Sequence, residues 1–208
     1  MRVIDEQIAG FRASALGEFS DSAPWELTLR AAEIVERLLN RLGEGYTVSG
    51  NVAVHLTSTI EEGAIIKGSA IIGPGSFMAA GAYARGGCWL EANCILEPGA
   101  ELKSSFVFGG SKLAHFNFVG DSILDREVNL EAGLIIANYR NERADPSISF
   151  LHRGKWINTS AEKFGALAGD RTKVGANAVI APGAILAPAT IVKRLSLIDQ
   201  GVGAEYSN

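Results

Sequence analysis

The sequence predicts a mainly β protein: a triangular parallel β-helix built of hexapeptides, preceded by an amphipathic helix. Three observations carry this. Every sixth residue from Val54 is apolar, through Ile60, Ile66, Ile72, Met78, Ala84, Leu90, Leu96, Leu102, Phe108 and Ala114. Four places further on in each unit the residue is small: Ser58, Ala64, Ala70, Ser76, Ala82, Cys88, Cys94 and Ala100. Glycine is abundant, at 24 of 208 residues, and proline is scarce, at 6. At 47% apolar content, eleven hits in one of six frames have a chance of about 2 in 1000. A unit of six fits neither the helical period of 3.6 nor the strand period of 2.

One short strand per hexapeptide, three hexapeptides per coil and strands stacked ~4.8 Å apart satisfy the pattern. Bulky residues fill the interior, and small ones sit where the chain bends inward. Gly and Asn in units such as Ile72-Gly73-Pro74-Gly75 and Leu90-Glu91-Ala92-Asn93 supply the turns.

Taken in chain order, residues 1–46 form a helical cap segment. Pro24-Trp25-Glu26 opens a helix with Ser22 or Asp21 as its cap. Leu27, Ala31, Ile34, Val35, Leu38 and Leu42 share one face, and Gly43 stops it. Such a helix is expected to cover the open end of the β-helix. Residues 47–208 form the β-helix. Its frame slips after Ala114 and resumes at Phe118, Leu124, Leu130 and Ile136. It is lost over a polar stretch holding Pro146 and Arg153-Gly154-Lys155, and returns at Ala168, Val174, Ile180, Leu186 and Val192. Residues 140–162 therefore read as a projecting loop, and long loops in compact domains are often functional.

Composition excludes several classes. The charge of −4 offers no general attraction to nucleic acid or to an anionic membrane. The start, Met1-Arg2-Val3-Ile4-Asp5-Glu6, has no apolar signal core, so the chain is expected to be cytoplasmic. His55, His115 and His152 are too far apart to share a metal within one solenoid, so no metal is expected. Cys88 and Cys94 fall at small inward sites and read as packing residues.

With three hexapeptides per coil, residues one coil apart lie on one edge, one above the other. Arg85 and Lys103 are so spaced. Two stacked cations repel each other unless an anion sits between them, which points to a phosphate or carboxylate ligand; two solvated surface cations is the alternative. Without an anion the pair is mildly repulsive, so Lys103→Ala is expected to leave stability unchanged or slightly raised. His115 lies at the frame slip, one coil length beyond Glu97, with a side chain suited to proton transfer near neutrality.

The segment His115-Phe116-Asn117-Phe118-Val119-Gly120-Asp121, with Val128-Asn129-Leu130-Glu131-Ala132-Gly133 and Asn138-Tyr139, carries a resemblance. It is similar to the H-L-T-Y-L-G-D, N-V-N-I-G-A-G and N-Y-D-G motifs of one hexapeptide-repeat acyltransferase family. That family is the acetyltransferase domain of the bacterial bifunctional N-acetylglucosamine-1-phosphate uridylyltransferase/glucosamine-1-phosphate acetyltransferase. The match runs gap-free back to Arg85 and covers about half of the 208 residues. The L-x-x-G-x-G-T-R signature of the uridylyltransferase domain has no counterpart here.

The resemblance implies a left-handed parallel β-helix, a homotrimer, and acetyl transfer from acetyl-CoA to an amino-sugar phosphate without a metal. His115 matches the general base, and Glu101 falls on a family glutamate near it, in competition with Glu97. Arg85, Lys103 and Lys163 match phosphate contacts, and Asn129, Asn138 and Tyr139 match sugar contacts. Phe118 stands where the family has a phosphate-contacting Tyr. Ala176 replaces a Ser that contacts acetyl-CoA, and Lys193 and Arg194 complete the implied cofactor-binding set. The loop at 140–162 reads as an insertion between two substrate-binding points, so the acceptor is expected to differ from glucosamine-1-phosphate or exceed it in size. The reading from another class is a non-catalytic trimeric β-helix that binds a sugar phosphate or serves as a scaffold.

Overall fold

The structure is a computed structural model, and it describes residues 3–201. Three flanks of short parallel strands form a solenoid. One flank stacks seven strands, from Thr59–Ile60 through Lys112–Leu113 and Asn129–Leu130 to Ile191–Val192. The next flank runs from Ile65–Lys67 to Leu197–Ile198. The third begins at Val52–His55, and there an antiparallel strand, Tyr46–Ser49, ends the ladder.

Strand register measures each coil directly. Ile65 pairs with Tyr83 and Tyr83 with Glu101, at steps of 18. Glu101 then pairs with Phe118 and Phe118 with Ile135, at steps of 17. Ile135 pairs with Val179, a step of 44, and Val179 with Leu197, again 18. The interior follows: Ile72, Leu90, Leu102, Leu124, Leu130, Ile136, Ala168, Val174 and Ile180 are all buried.

The two short coils correct the expected frame. The slip falls at Lys103-Ser104-Ser105, which is one residue shorter than Arg85-Gly86-Gly87-Cys88 beneath it. From there the interior residues are Val107, Leu113 and Val119. Phe108, Ala114 and Phe118 are not interior residues; Phe108 points outward against Phe11 and Trp89. The expected frame ran on because Phe108 and Ala114 are also apolar.

Three helices precede the solenoid: α1 (Val3–Gln7), α2 (Pro24–Leu29) and α3 (Ala31–Leu39). The apolar face read from sequence is the buried one, with Leu27, Ala31, Ile34, Val35 and Leu38 covered. The start of α2 differs from expectation. Its cap residue is Ala23, whose N–H donates to Glu26 Oε2 at 2.8 Å, and neither Ser22 nor Asp21 takes that place. The chain breaks at Arg30, and α3 ends at Leu39, before Gly43. The helices lie along a flank and do not plug the end. They pack on the outward residues of the third flank: Ala53, Ile71, Trp89, Phe106, Ile123 and Leu167. That ladder of apolar side chains on the outer surface of a parallel sheet requires a cover.

The insertion also differs. The step from Ile135 to Val179 is well over twice a regular coil, so the inserted segment is longer than the stretch read from the sequence. It is a hairpin, Ser149–His152 paired with Lys155–Asn158, rather than a free loop. Ile148 and Phe150 are buried, and Trp25 packs edge-on against Phe150 and Phe164 at 5.7 and 6.1 Å. Arg140 fastens its entry. The guanidinium is buried, donates to Asp199 at 2.6 and 3.0 Å and to the Pro182 carbonyl at 3.1 Å, and so ties the insertion to the last coil.

Candidate active site

A column of cations marks one corner of the solenoid. Arg85 and Lys103 are register partners on adjacent strands, and Lys67 stands opposite Arg85 on the strand before. Arg85 and Lys103 thus stack as their spacing implies, but the chain itself supplies counter-charges. Arg85 Nε and Nη2 both lie 2.7 Å from Glu101 Oε1. Lys103 Nζ donates to both oxygens of Asp121, at 2.6 and 2.9 Å. Asn138 Nδ2 donates to the same carboxylate.

This corner is tight. Asp121 adopts a left-handed φ of +46°. Gly120 opposite Lys103 has no room for a side chain, because an added Cβ would lie 2.7 Å from Asn138 Nδ2. The chain leaving the insertion docks here: the Phe164 N–H donates to the Asn138 carbonyl at 3.1 Å and the Gly165 N–H to the Asp121 carbonyl at 2.9 Å. Exposed Lys163 therefore stands next to Asn138, and partly exposed Tyr139 follows Asn138.

His115 occupies the neighbouring corner, about half exposed. Its Nδ1 lies 3.9 Å from Glu97 Oε2. Glu97 is therefore the carboxylate beside the histidine, whereas Glu101 is engaged by Arg85 and pairs in register with Phe118. Phe116, next in sequence, is 73% exposed with a φ of +58°, and its ring covers Gly99. A bulky residue held exposed in that region stores backbone strain. The chain from His115 to Gly120, the position opposite Lys103, spans at most ~17 Å.

Asn129, Lys193 and Arg194 form a separate group. With Glu131, Lys173 and Gly175 they line a groove of about 490 Å³ on the flank preceding the His115 corner. Asn129 therefore sits with the implied cofactor residues and apart from Asn138. Glu131 organises the groove: it accepts from Arg194 twice at 2.7 Å and from the Ala176 N–H at 2.8 Å. The Arg194 hydrogen bond, then that of Ala176, hold its carboxyl below the usual range. Cys88 and Cys94 are free and buried, and burial pushes their thiols up to about 11 and about 12, leaving them unreactive.

Sequence reasoning passed over Asp121, Lys67 and Glu131 as individual residues. For two of them the signal was present: Asp121 follows Lys103, and Lys67 precedes Arg85, by one regular coil length. Among the described residues, no group of three or more His, Cys, Asp or Glu is placed to hold a metal ion. No helix among them is long and apolar enough to cross a membrane.

No protein-family profile matches the chain. Individual curated proteins do. The bifunctional protein GlmU of Methanococcus maripaludis (strain C7) is 38% identical over 185 residues, covering 86% of this chain and 44% of that protein. The bifunctional sugar-1-phosphate nucleotidylyltransferase/acetyltransferase of Sulfurisphaera tokodaii is 32% identical over 103 residues, covering 50% of this chain and 25% of that protein. The bifunctional protein GlmU of Methanococcus vannielii is 30% identical over 106 residues, with 51% and 25% covered. The chain spans between a quarter and somewhat under half of these relatives' length. It is a parallel β-solenoid similar in sequence to bifunctional sugar-1-phosphate nucleotidylyltransferase/acetyltransferase proteins, in agreement with the motif resemblance over residues 115–139.

Proposed function

We propose that the chain is an acyltransferase that moves an acetyl group from acetyl-CoA to the amine of an amino-sugar phosphate. The observation that carries this reading is a half-exposed histidine at one corner and a register-matched Arg85–Lys103 column at the next, the two bracketing one flank. A sugar phosphate laid between them has its phosphate at the cations and its amine toward His115. His115 takes the proton as the amine becomes the nucleophile, and Glu97 on the Nδ1 side stabilises the imidazolium. Acetyl-CoA supplies an activated thioester carbonyl. The groove fits such an anionic co-substrate, since Lys173 and Lys193 line it with no ion pair among the described residues.

The assembly we propose is a homotrimer. Ile135, Val179 and Leu197 are successive register partners on the outer surface of the flank that carries Glu101 and Phe118, and all three are exposed. A contiguous apolar strip of this kind calls for a partner, and a second copy meets it with the same strip or its edge.

The test is thiol release from acetyl-CoA across a panel of amino sugars and their 1-phosphates. Turnover is expected with a phosphorylated amino sugar and should weaken when the phosphate is removed. Sugar-phosphate binding without thiol release would select the non-catalytic β-helix instead.

A further inference from the structure

Beyond Arg85, on the side away from Lys103, lies a second cavity of about 530 Å³. Its walls include Lys67, Tyr83, Arg85, Asn51, Glu36 and the Gly86-Gly87 turn. Resting on the proposed sugar-phosphate site, we infer that this cavity receives the outer phosphate and nucleoside of a nucleoside-diphosphate-linked amino sugar, so that the acceptor is a sugar nucleotide.

The cation column continues into the cavity. Lys67 is the register partner of Arg85, one strand spacing of ~4.8 Å away, a gap that two long flexible cationic side chains can close to meet adjacent phosphates of a diphosphate. Lys67 is exposed, and no ion pair engages it among the described residues, unlike Arg85 and Lys103. Arg85 serves both sides. Its Nε and Nη2 hold Glu101, which leaves Nη1 without a partner among the described residues, and its guanidinium lies 5.9 Å from the Tyr83 ring. One diphosphate would thus span Lys103, Arg85 and Lys67 with charge-assisted contacts.

The far wall suits a sugar diol. Glu36 on α3 receives the Asn51 amide at 3.0 Å and the Ser69 hydroxyl at 2.7 Å, both on Oε1. Those bonds fix the carboxylate and leave Oε2 free to accept from two adjacent hydroxyls, as a ribose presents. The volume fits a nucleoside and exceeds what a lone phosphate fills, and it is in the range of small-molecule sites. The cavity persists because α3 is pinned: the Gly87 backbone is so close that an added Cβ would sit 2.2 Å from Ala32 N.

The experiment is calorimetric titration of wild type, Lys67→Ala and Glu36→Gln with glucosamine-1-phosphate, UDP-glucosamine and UDP. Circular dichroism checks that each variant folds. Wild type should bind UDP-glucosamine ~10–100-fold more tightly than the monophosphate. Lys67→Ala should remove most of that gain and weaken UDP equally, with glucosamine-1-phosphate unchanged. Glu36→Gln should weaken both nucleotides and spare the monophosphate. Equal wild-type affinity for the two sugars with no UDP binding overturns the nucleotide subsite and leaves the sugar-phosphate reading standing. Lys67-dependent UDP binding without any affinity for glucosamine-1-phosphate supports the subsite and removes the monophosphate reading. Absence of binding by all three probes overturns both.

Discussion

Lys103→Ala separates a loose pair of surface cations from a built charge network. Spacing alone predicts no loss of stability, because one of two stacked like charges disappears. The contacts reverse the sign. The ammonium lies 2.6 Å from a carboxylate whose side chain is only 5% exposed. Without it, Asp121 keeps a single side-chain donor, Asn138, in a place that water reaches poorly. Stranding a charged acceptor in this way costs about 1–3 kcal/mol. The figure falls below the ~3–5 kcal/mol of a fully buried pair because Lys103 itself retains 16% exposure. For a chain of this length that corresponds to a Tm lowered by ~2–12 °C. Scanning calorimetry on wild type, Lys103→Ala, Asp121→Asn and the double variant measures both the loss and the coupling. The double variant should be less destabilised than the two single losses summed, with a coupling of ~0.5–3 kcal/mol. A Lys103→Ala change within ~0.5 kcal/mol of zero, the range of an ordinary surface substitution, would refute the network.

The other expectations follow from separate parts of the molecule. His115→Ala should lower kcat by ~10²–10⁴-fold in the thiol-release assay; Glu97→Gln should lower it less and shift the pH profile. Arg140 hydrogen-bonds Asp199 and holds its carboxyl below the ordinary value of 3.8. That stability is therefore complete above the ordinary value and lost as pH falls through the lower folded one. Asp199→Asn should weaken resistance to urea at neutral pH and converge with wild type in acid; a gap independent of pH would count against the latch. Gly87→Ala, at a φ of +95° and against the α3 backbone, should cost at least ~1–3 kcal/mol and reduce helical ellipticity. Sedimentation should give about three times 22.0 kDa; a monomer at micromolar concentration would remove the proposed assembly.

The solenoid was legible in the sequence because its interior is repetitive. Positions such as Ile72, Leu90, Leu102, Leu130 and Val174 face one axis, so a fixed period exposes them without knowledge of the partner strand. What escaped depends on the outer surface. Ile71, Trp89, Phe106 and Ile123 are one residue out of phase with the core, and their cover comes from the helices α1–α3, far earlier in the chain. The period therefore could not say that the helices lie along a flank. The hairpin escaped for a similar reason. Its buried residues, Ile148 and Phe150, meet Gly183 and Trp25, contacts that no local pattern encodes.

At the site, register carried what could be read, and the defect in register carried the rest. A step of one regular coil paired Arg85 with Lys103 because the strands there keep that register. Applied once more the same step reaches Asp121, but the next coil is one residue short, so Gly120 takes the place opposite Lys103. Asp121 is thereby pushed into the turn, at a left-handed φ that points its carboxylate back at the lysine. The frame slip and the neutralised lysine are thus one feature: the shortened coil moves the acid from a strand to a corner. The space left beside Gly120 admits Asn138, which in turn receives the chain returning from the insertion through the Phe164 N–H. An insertion at this point consequently reaches the cation corner through backbone contacts, and its exit residue, Lys163, stands beside Asn138 whatever the hairpin beyond it does.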